Sequence, residues 1–264
     1  MVAFQEEVKM VATIFIIGLA GSGKSLMTYS IWEWFNRQKQ DISILNFDPG
    51  VINTPYEPEF DIREYINVWD IMEKNKVGPN TALIVSMDLA IAYIDQLNAE
   101  IGKRNPDILL VDTPGQMEIF AYRIIGDYIV RNLAGDNKMI IFVLDGVFCK
   151  DPKNFISNLL ISASTRFRFE LPMINILNKI DLLTKEELMR IYSWYKHPQM
   201  LMEELEKHYQ TYETEMMIKM FKIMRRYTLG GDFIAVSAET LENFSILIQA
   251  LTRVLFRGEE KLNI

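Results

Sequence analysis

The sequence predicts an α/β fold in three layers, a mostly parallel sheet with helices on both faces. Three observations carry this. Six short runs, at 13–17, 42–47, 108–111, 139–144, 173–177 and 233–236, are rich in Ile, Val, Leu and Phe and too short for helices. Runs that are apolar on both faces read as buried parallel strands. Stretches with helical spacing lie between several of them, and such alternation builds a parallel sheet covered on both sides. Finally, five of the six runs end directly in a polar motif. In an open parallel sheet ligands sit at the carboxyl ends of the strands, so these motifs gather on one edge.

The first run leads into Gly18-Leu-Ala-Gly-Ser-Gly-Lys-Ser25, which satisfies G-x-x-x-x-G-K-[ST] at every fixed position. Its glycines let backbone N–H groups curl around a phosphate. The helix expected from Lys24, with Leu26, Met27, Ile31, Trp34 and Phe35 on one face, adds its positive end. Gly18, Ala20, Gly21, Ser22, Gly23, Lys24, Ser25 and Leu26 are the expected nucleotide contacts. Lys24 would reach the β- and γ-phosphates, and the Ser25 hydroxyl would ligate Mg²⁺.

The second run ends at Asp48-Pro49. A helical stretch follows over 83–101. The third run ends at Asp112-Thr-Pro-Gly-Gln116, where Asp112 can hold the metal and Gly115 can offer its N–H to the γ-phosphate. The fifth ends at Asn178-Lys-Ile-Asp181. A carboxylate at Asp181 can accept two hydrogen bonds from the N1–H and N2 amino edge of guanine, donors that adenine lacks there. The Lys179 stem can lie along the base. The sixth run ends at Ser237-Ala238, expected to give a backbone N–H to guanine O6. Together these motifs favour GTP over ATP. The segment 184–228 exceeds what one crossover helix needs and reads as a helical insertion or lid, its methionines (Met200, Met202, Met216, Met217, Met220, Met224) being core filler.

Length and composition fit a single domain over 1–264: 49% hydrophobic, 24% charged, with residues 1–9 and the last few expected to fray. A net charge of −7 argues against non-specific nucleic-acid binding, which needs clustered Lys and Arg. The one cysteine, Cys149, forbids an internal disulfide and is expected to be buried and inert. His197 and His208 are expected on solvated helix positions. No apolar run approaches the roughly 18 residues of a membrane span, and the stretch at 11–18 lacks the marks of a signal peptide. A cytoplasmic protein without membrane contact is the expectation.

The three motifs resemble those of P-loop GTPases. A finer match lies in Asn46-Phe-Asp-Pro-Gly50, Pro55-Tyr-Glu-Pro58, Asp61-Ile-Arg63, Gly78-Pro-Asn80 and Asp112 to Glu118, which resemble the GPN-loop GTPases over essentially the whole chain. Gly50 stands where that family usually has Ala, and Ile180 where Ser is frequent. The resemblance implies GTP/GDP and Mg²⁺ as cofactors and an archaeal-type homodimer with facing sites. It further implies that the loop at 75–82 brings Asn80 toward the partner's γ-phosphate. From residue chemistry alone, Gly78-Pro79-Asn80 is a stiff exposed turn. Suspected clients in eukaryotic relatives are RNA polymerase assemblies.

Phosphoryl transfer needs positioning and charge stabilisation above all. Lys24, Mg²⁺ and a partner's Asn80 would stabilise charge. Asp48, Gln116 and Glu118 would orient water, with Ser25, Asp48 and Asp112 as the metal set. Asp48 is favoured because its strand is expected to flank the P-loop strand. Asp48→Ala is expected to slow turnover and leave GTP affinity nearly intact. No arginine finger stands out: Arg63 and Arg123 are candidates, with pairing to Glu64 and Asp127 the plainer expectation. A P-loop kinase and a GTP-gated binding factor with negligible hydrolysis are the competing readings.

Overall fold

The computed structural model describes residues 11–208, 212–227 and 233–255. In chain order the elements are β1 (Ala12–Gly18), α1 (Lys24–Arg37), β2 (Ile42–Asn46), β3 (Phe60–Asp61), α2 (Val68–Asn75), α3 (Pro79–Ala90), α4 (Ile94–Arg104), β4 (Ile108–Asp112), α5 (Met117–Ala121) and α6 (Ile124–Asn132). There follow β5 (Asn137–Asp145), α7 (Pro152–Phe169), β6 (Met173–Asn178), α8 (Lys185–Lys196), α9 (Pro198–His208), α10 (Tyr212–Tyr227), β7 (Phe233–Ala235) and α11 (Phe244–Leu255). The strands form one seven-stranded sheet in the order β3-β2-β4-β1-β5-β6-β7. Every pairing is parallel.

Alternation along β1 divides the core. Ile14 and Ile16 face a layer containing Met27, Ile31 and Phe35 of α1 and Phe244, Leu247 and Leu251 of α11. Phe15 and Ile17 face the other side, with Leu97 of α4, Ile129 of α6 and Phe155 of α7. This central strand is therefore apolar on both faces, which hides the two-residue period a half-exposed strand would show.

Several expectations need correction. The strand before Asp48 does not flank the P-loop strand, because β4 lies between β2 and β1. That placement sets Asp112 beside Ile16 on one side and Asn46 on the other. The edge strand β3 is only two residues long, too short for any periodicity. Gly78-Pro79-Asn80 is a helix start, not a free turn: Gly78 caps α3 and Pro79 opens it. Proline suits a first helical position because the N–H it lacks would have no partner there. The expected 83–101 helix runs from Pro79 to Arg104 through a short 3₁₀ turn at Ile91–Tyr93. By length and composition alone this stretch could cross a membrane. Ala82, Met87, Ala90, Ile94, Leu97 and Ile101 all turn into the core.

In the 184–228 segment, Thr184 and Glu187 form a capping box that starts α8. Trp194 of α8 lies 5.7 Å from Phe155 of α7, ring centre to ring centre. Helices α9 and α10 also pack on α7, which favours an added wall over a lid. Met200, Met216 and Met220 are exposed and not core filler. Leu201, Leu205, Ile218 and Phe221 take the inward positions instead, and Met202 and Met217 are partly buried. The side chains of Met224 and His208, the first ten residues and those after 255 lie outside the described residues. His197 is exposed and Cys149 is buried.

Candidate functional site

The carboxyl ends of β1, β2, β4, β5 and β6 bring the sequence motifs together. The loop from Gly18 to Ser25 leaves β1 and enters α1 through Gly23, whose φ of 92° suits glycine. A Cβ on Gly23 would stand 2.5 Å from the Asn178 amide nitrogen, and one on Gly18 would stand 2.4 Å from the Val143 carbonyl oxygen. Both positions therefore need glycine for closeness.

Lys24 is 5% exposed. Its Nζ donates to the carbonyls of Gly18 (3.0 Å), Leu19 (3.1 Å) and Gly115 (3.3 Å). Burial lowers its pKa, opposed by the charges of Asp112, Asp48 and Glu118. Those three carboxylates therefore share one field with the lysine, although Glu118 is itself exposed.

Asp112 is 2% exposed. Burial pushes its pKa up to about 6, opposed by Tyr56, Ser25 and Lys24. Its Oδ2 accepts the Tyr56 hydroxyl at 2.5 Å. Its Oδ1 is buried without a hydrogen-bond partner. The neighbouring Thr113 hydroxyl donates to the Ile16 carbonyl at 2.7 Å, pinning the turn after β4 to the P-loop strand.

Asp48 is half-buried. Its Oδ2 accepts the Gly115 N–H and its Oδ1 the Gly50 N–H, both at 2.9 Å. Asn46 shapes this turn, since its Oδ1 accepts the Asp48 N–H at 3.1 Å and its Nδ2 donates to Asp61 at 2.9 Å. Gln116 and Asn80 are exposed, and Gln116 Nε2 donates to Asn80 Oδ1 of the same chain at 3.3 Å.

Both arginine pairings differ from expectation. Arg63 grips Asp61, not Glu64, and donates from NH1 to the carbonyls of Val51 (3.1 Å) and Ile52 (3.2 Å). Arg123 pairs with Asp88 at 2.7 Å, because Asp127 is taken by Arg131 one helical turn away.

At β6, Asn178 ties three segments together. Its Nδ2 donates to the Ser22 carbonyl (3.0 Å) and its Oδ1 accepts the Ala238 N–H (3.0 Å). Lys179 Nζ donates to the Gly21 carbonyl at 2.6 Å and to Asp145 at 2.7 Å. Asp181 is exposed. Neither amide expected for guanine O6 is spare: the Ala238 N–H serves Asn178, and the Ser237 N–H serves the Glu242 carbonyl at 3.2 Å. A buried N–H needs an acceptor, and these found one inside the protein. Sequence reasoning missed Asp145 as the anchor of Lys179 and Tyr56 as the partner of Asp112. Asp145 ends a strand beside Asn178, a position that could have signalled it.

The donor set fits Mg²⁺. A hydroxyl at Ser25 and a buried carboxylate oxygen of Asp112 without a partner are hard oxygen ligands.

A family model described as "Conserved hypothetical ATP binding protein" matches residues 16–255. GPN-loop GTPase 3 of Schizosaccharomyces pombe is 33% identical over 185 residues, 67% of each chain. GPN-loop GTPase 1 of Dictyostelium discoideum is 33% identical over 177 residues, 66% of this chain and 45% of that one. The chain thus spans about half the length of the first curated relatives it matches. A solved structure, a GTPase in apo form from Pyrococcus abyssi, superposes with a TM-score of 0.82 at 28% identity, covering 92% of this chain and 97% of the other. With its strand-end motifs gathered on an all-parallel sheet, and relatives above 30% identity, this chain belongs to the GPN-loop GTPase family.

Proposed function

We propose that the chain binds GTP with Mg²⁺ and hydrolyses it to GDP and phosphate, working as a homodimer that switches the assembly of a larger complex. One observation carries the guanine part: Asn178 and Lys179 bond directly to the Ser22 and Gly21 carbonyls of the phosphate loop. That coupling supports a pocket in which the loop takes the phosphates while Asp181, at the start of the next turn, takes the base. The matching family description names ATP, but adenine offers Asp181 no pair of donors. Asp181 is exposed in the ligand-free chain, so the penalty comes when a bound base covers it: an acceptor buried there without a donor costs about 1–3 kcal/mol, more if charged. A site made for such donors rejects the wrong base by up to roughly 10⁴–10⁵.

The residues divide the work as follows. P-loop amides and Lys24 bind and neutralise the phosphate tail. Gly115 gives its N–H to the γ-phosphate, and Asp48, Gln116 and Glu118 orient the attacking water. Ser25, Asp112 and Asp48 hold the metal, which when bound supplies positive charge at the phosphate oxygens. Product analysis after one turnover tests this reading: free phosphate and GDP support it, whereas a phosphorylated small molecule from added acceptors would mean a kinase. A binding factor with negligible hydrolysis would keep GTP intact and release its protein partner only on nucleotide exchange.

For Asn80 a second reading has an observation of its own. The family resemblance supports action on the partner's site. The 3.3 Å hydrogen bond from Gln116 supports action on the chain's own site, by holding Gln116 in place.

A further inference from the structure

Tyr56 has no role in the scheme above, yet its surroundings are unusual for a structural tyrosine. It lies in the segment between β2 and β3 and is 7% exposed, in the same buried layer as Met27, Ile44 and Leu110. Its hydroxyl donates to Asp112 Oδ2 at 2.5 Å. Burial and the neighbouring carboxylate both raise its pKa. The Asp112 carboxylate is held on Oδ2 by Tyr56, while Oδ1 is buried without a direct hydrogen bond and the Ser25 hydroxyl lies close enough to favour its charge. A donor that pins one oxygen sets the rotation of the whole carboxylate and so the aim of the other oxygen.

The segment carrying Tyr56 is itself held at defined points. Arg63 donates to the Val51 and Ile52 carbonyls at 3.1 and 3.2 Å, and the Thr54 hydroxyl donates to the Tyr56 carbonyl at 2.7 Å. Asp48 ties the start of the segment to Gly115 at 2.9 Å. A shift of this segment that moves Tyr56 would change the distance from its hydroxyl to Asp112.

We propose that Tyr56 is a positioning residue for the metal-holding carboxylate: its hydroxyl aims Asp112 and so makes Mg²⁺ affinity depend on where the 49–59 segment sits. This rests on the proposed guanine-nucleotide site and deepens it. A purely packing role would live in the ring, which Tyr56→Phe keeps; the positioning role lives in the hydroxyl, which it removes.

The test uses the full chain loaded with a fluorescent GDP, with Mg²⁺ titrated against the rate of nucleotide release. Tyr56→Phe should need about tenfold more Mg²⁺ for half-maximal slowing, the scale of losing one hydrogen bond to a charged group. Its GDP affinity in EDTA should stay within about twofold of wild type, a change near 0.4 kcal/mol. In an Asp112→Asn background the same change should shift the Mg²⁺ midpoint little, because the carboxylate it aims is gone. Thermal melting of both variants checks that they fold. A Tyr56→Phe midpoint unchanged from wild type overturns the proposal, as does an equal shift in the Asp112→Asn background. Failure of the wild-type protein to bind GDP under any condition would instead remove the nucleotide site itself.

Discussion

Replacing Asp48 with alanine separates two jobs held by one carboxylate. Asp48 accepts the Gly115 N–H at 2.9 Å, and on the proposed reading that N–H belongs to the γ-phosphate. GTP must then displace Asp48 to bind fully, whereas GDP has no group that competes. A hydrogen bond to a charged acceptor contributes roughly 1.5–3 kcal/mol. Asp48 is only half-buried, and water takes up part of the loss, so a value just below that range, about 1.4 kcal/mol, is expected. With Mg²⁺ chelated, so that the metal-holding role of Asp48 does not enter, Asp48→Ala should therefore raise affinity for a non-hydrolysable GTP analogue about tenfold and leave GDP within about twofold. The same change should slow turnover at least about tenfold, a barrier increase above 1.36 kcal/mol. Sequence reasoning alone expects nearly unchanged GTP affinity; the contact with Gly115 is what changes that. Calorimetry with both nucleotides and single-turnover phosphate release read the two effects separately. A loss of analogue affinity, or an equal gain for GDP, would refute the displacement, and unchanged turnover would take Asp48 out of the mechanism.

Asp181→Ala should cut the preference for GTP over ATP by at least about tenfold, the scale of one lost charged acceptor, measured by competition binding. Because burial raises the Asp112 pKa to about 6, the folded protein holds this proton more tightly than the unfolded chain. The ligand-free protein should therefore lose stability as pH climbs from about 4 to about 6 and level off above, by an amount on the order of 3 kcal/mol. Asp112→Asn should flatten that part of the stability–pH curve in denaturant titrations, and a curve of unchanged slope would contradict the assignment. Mixed dimers of Lys24→Ala and Asn80→Ala chains separate the two readings of Asn80: action in trans restores one working site in the mixture, and action in cis restores none. Cys149, buried with its thiol pushed up to about 12, should resist thiol reagents until the protein unfolds, which mass spectrometry after timed labelling can follow.

What could be read in the sequence depended on how local the signal was. The main strands and the phosphate loop announce themselves because each is a contiguous run with its own periodicity or fixed spacing. The position of β2 did not, since strand order follows from crossovers and not from any residue within the strand. Asp48 nonetheless reaches Gly115, because β4 carries the 112–116 turn into the gap next to it. The helix beginning at Pro79 looked like a turn because Gly-Pro-Asn is turn chemistry when read alone, and only the residues after it make it a cap. Long-range pairings were the least legible. Arg123 found Asp88 across 35 positions while Asp127, four residues away, was passed over, and even over two positions Arg63 chose Asp61 and not its neighbour Glu64. The partnership of Tyr56 with Asp112, 56 positions apart, has no trace in local pattern at all. Met200, Met216 and Met220 misled for a related reason: their apolar chemistry suggests a core, but Leu201, Leu205, Ile218 and Phe221 of the same helices fill it, with Met202 and Met217 packed against it.

Everything proposed for this chain depends on one pocket that grips a triphosphate at the phosphate loop and tells its base at Asp181. Calorimetric titration of the purified protein with GTP and with ATP, each with Mg²⁺, tests that directly. The account predicts saturable binding of GTP and an affinity for ATP lower by at least about a hundredfold, or 2.7 kcal/mol. Equal affinity for the two nucleotides, or binding of neither by the folded protein, would contradict it.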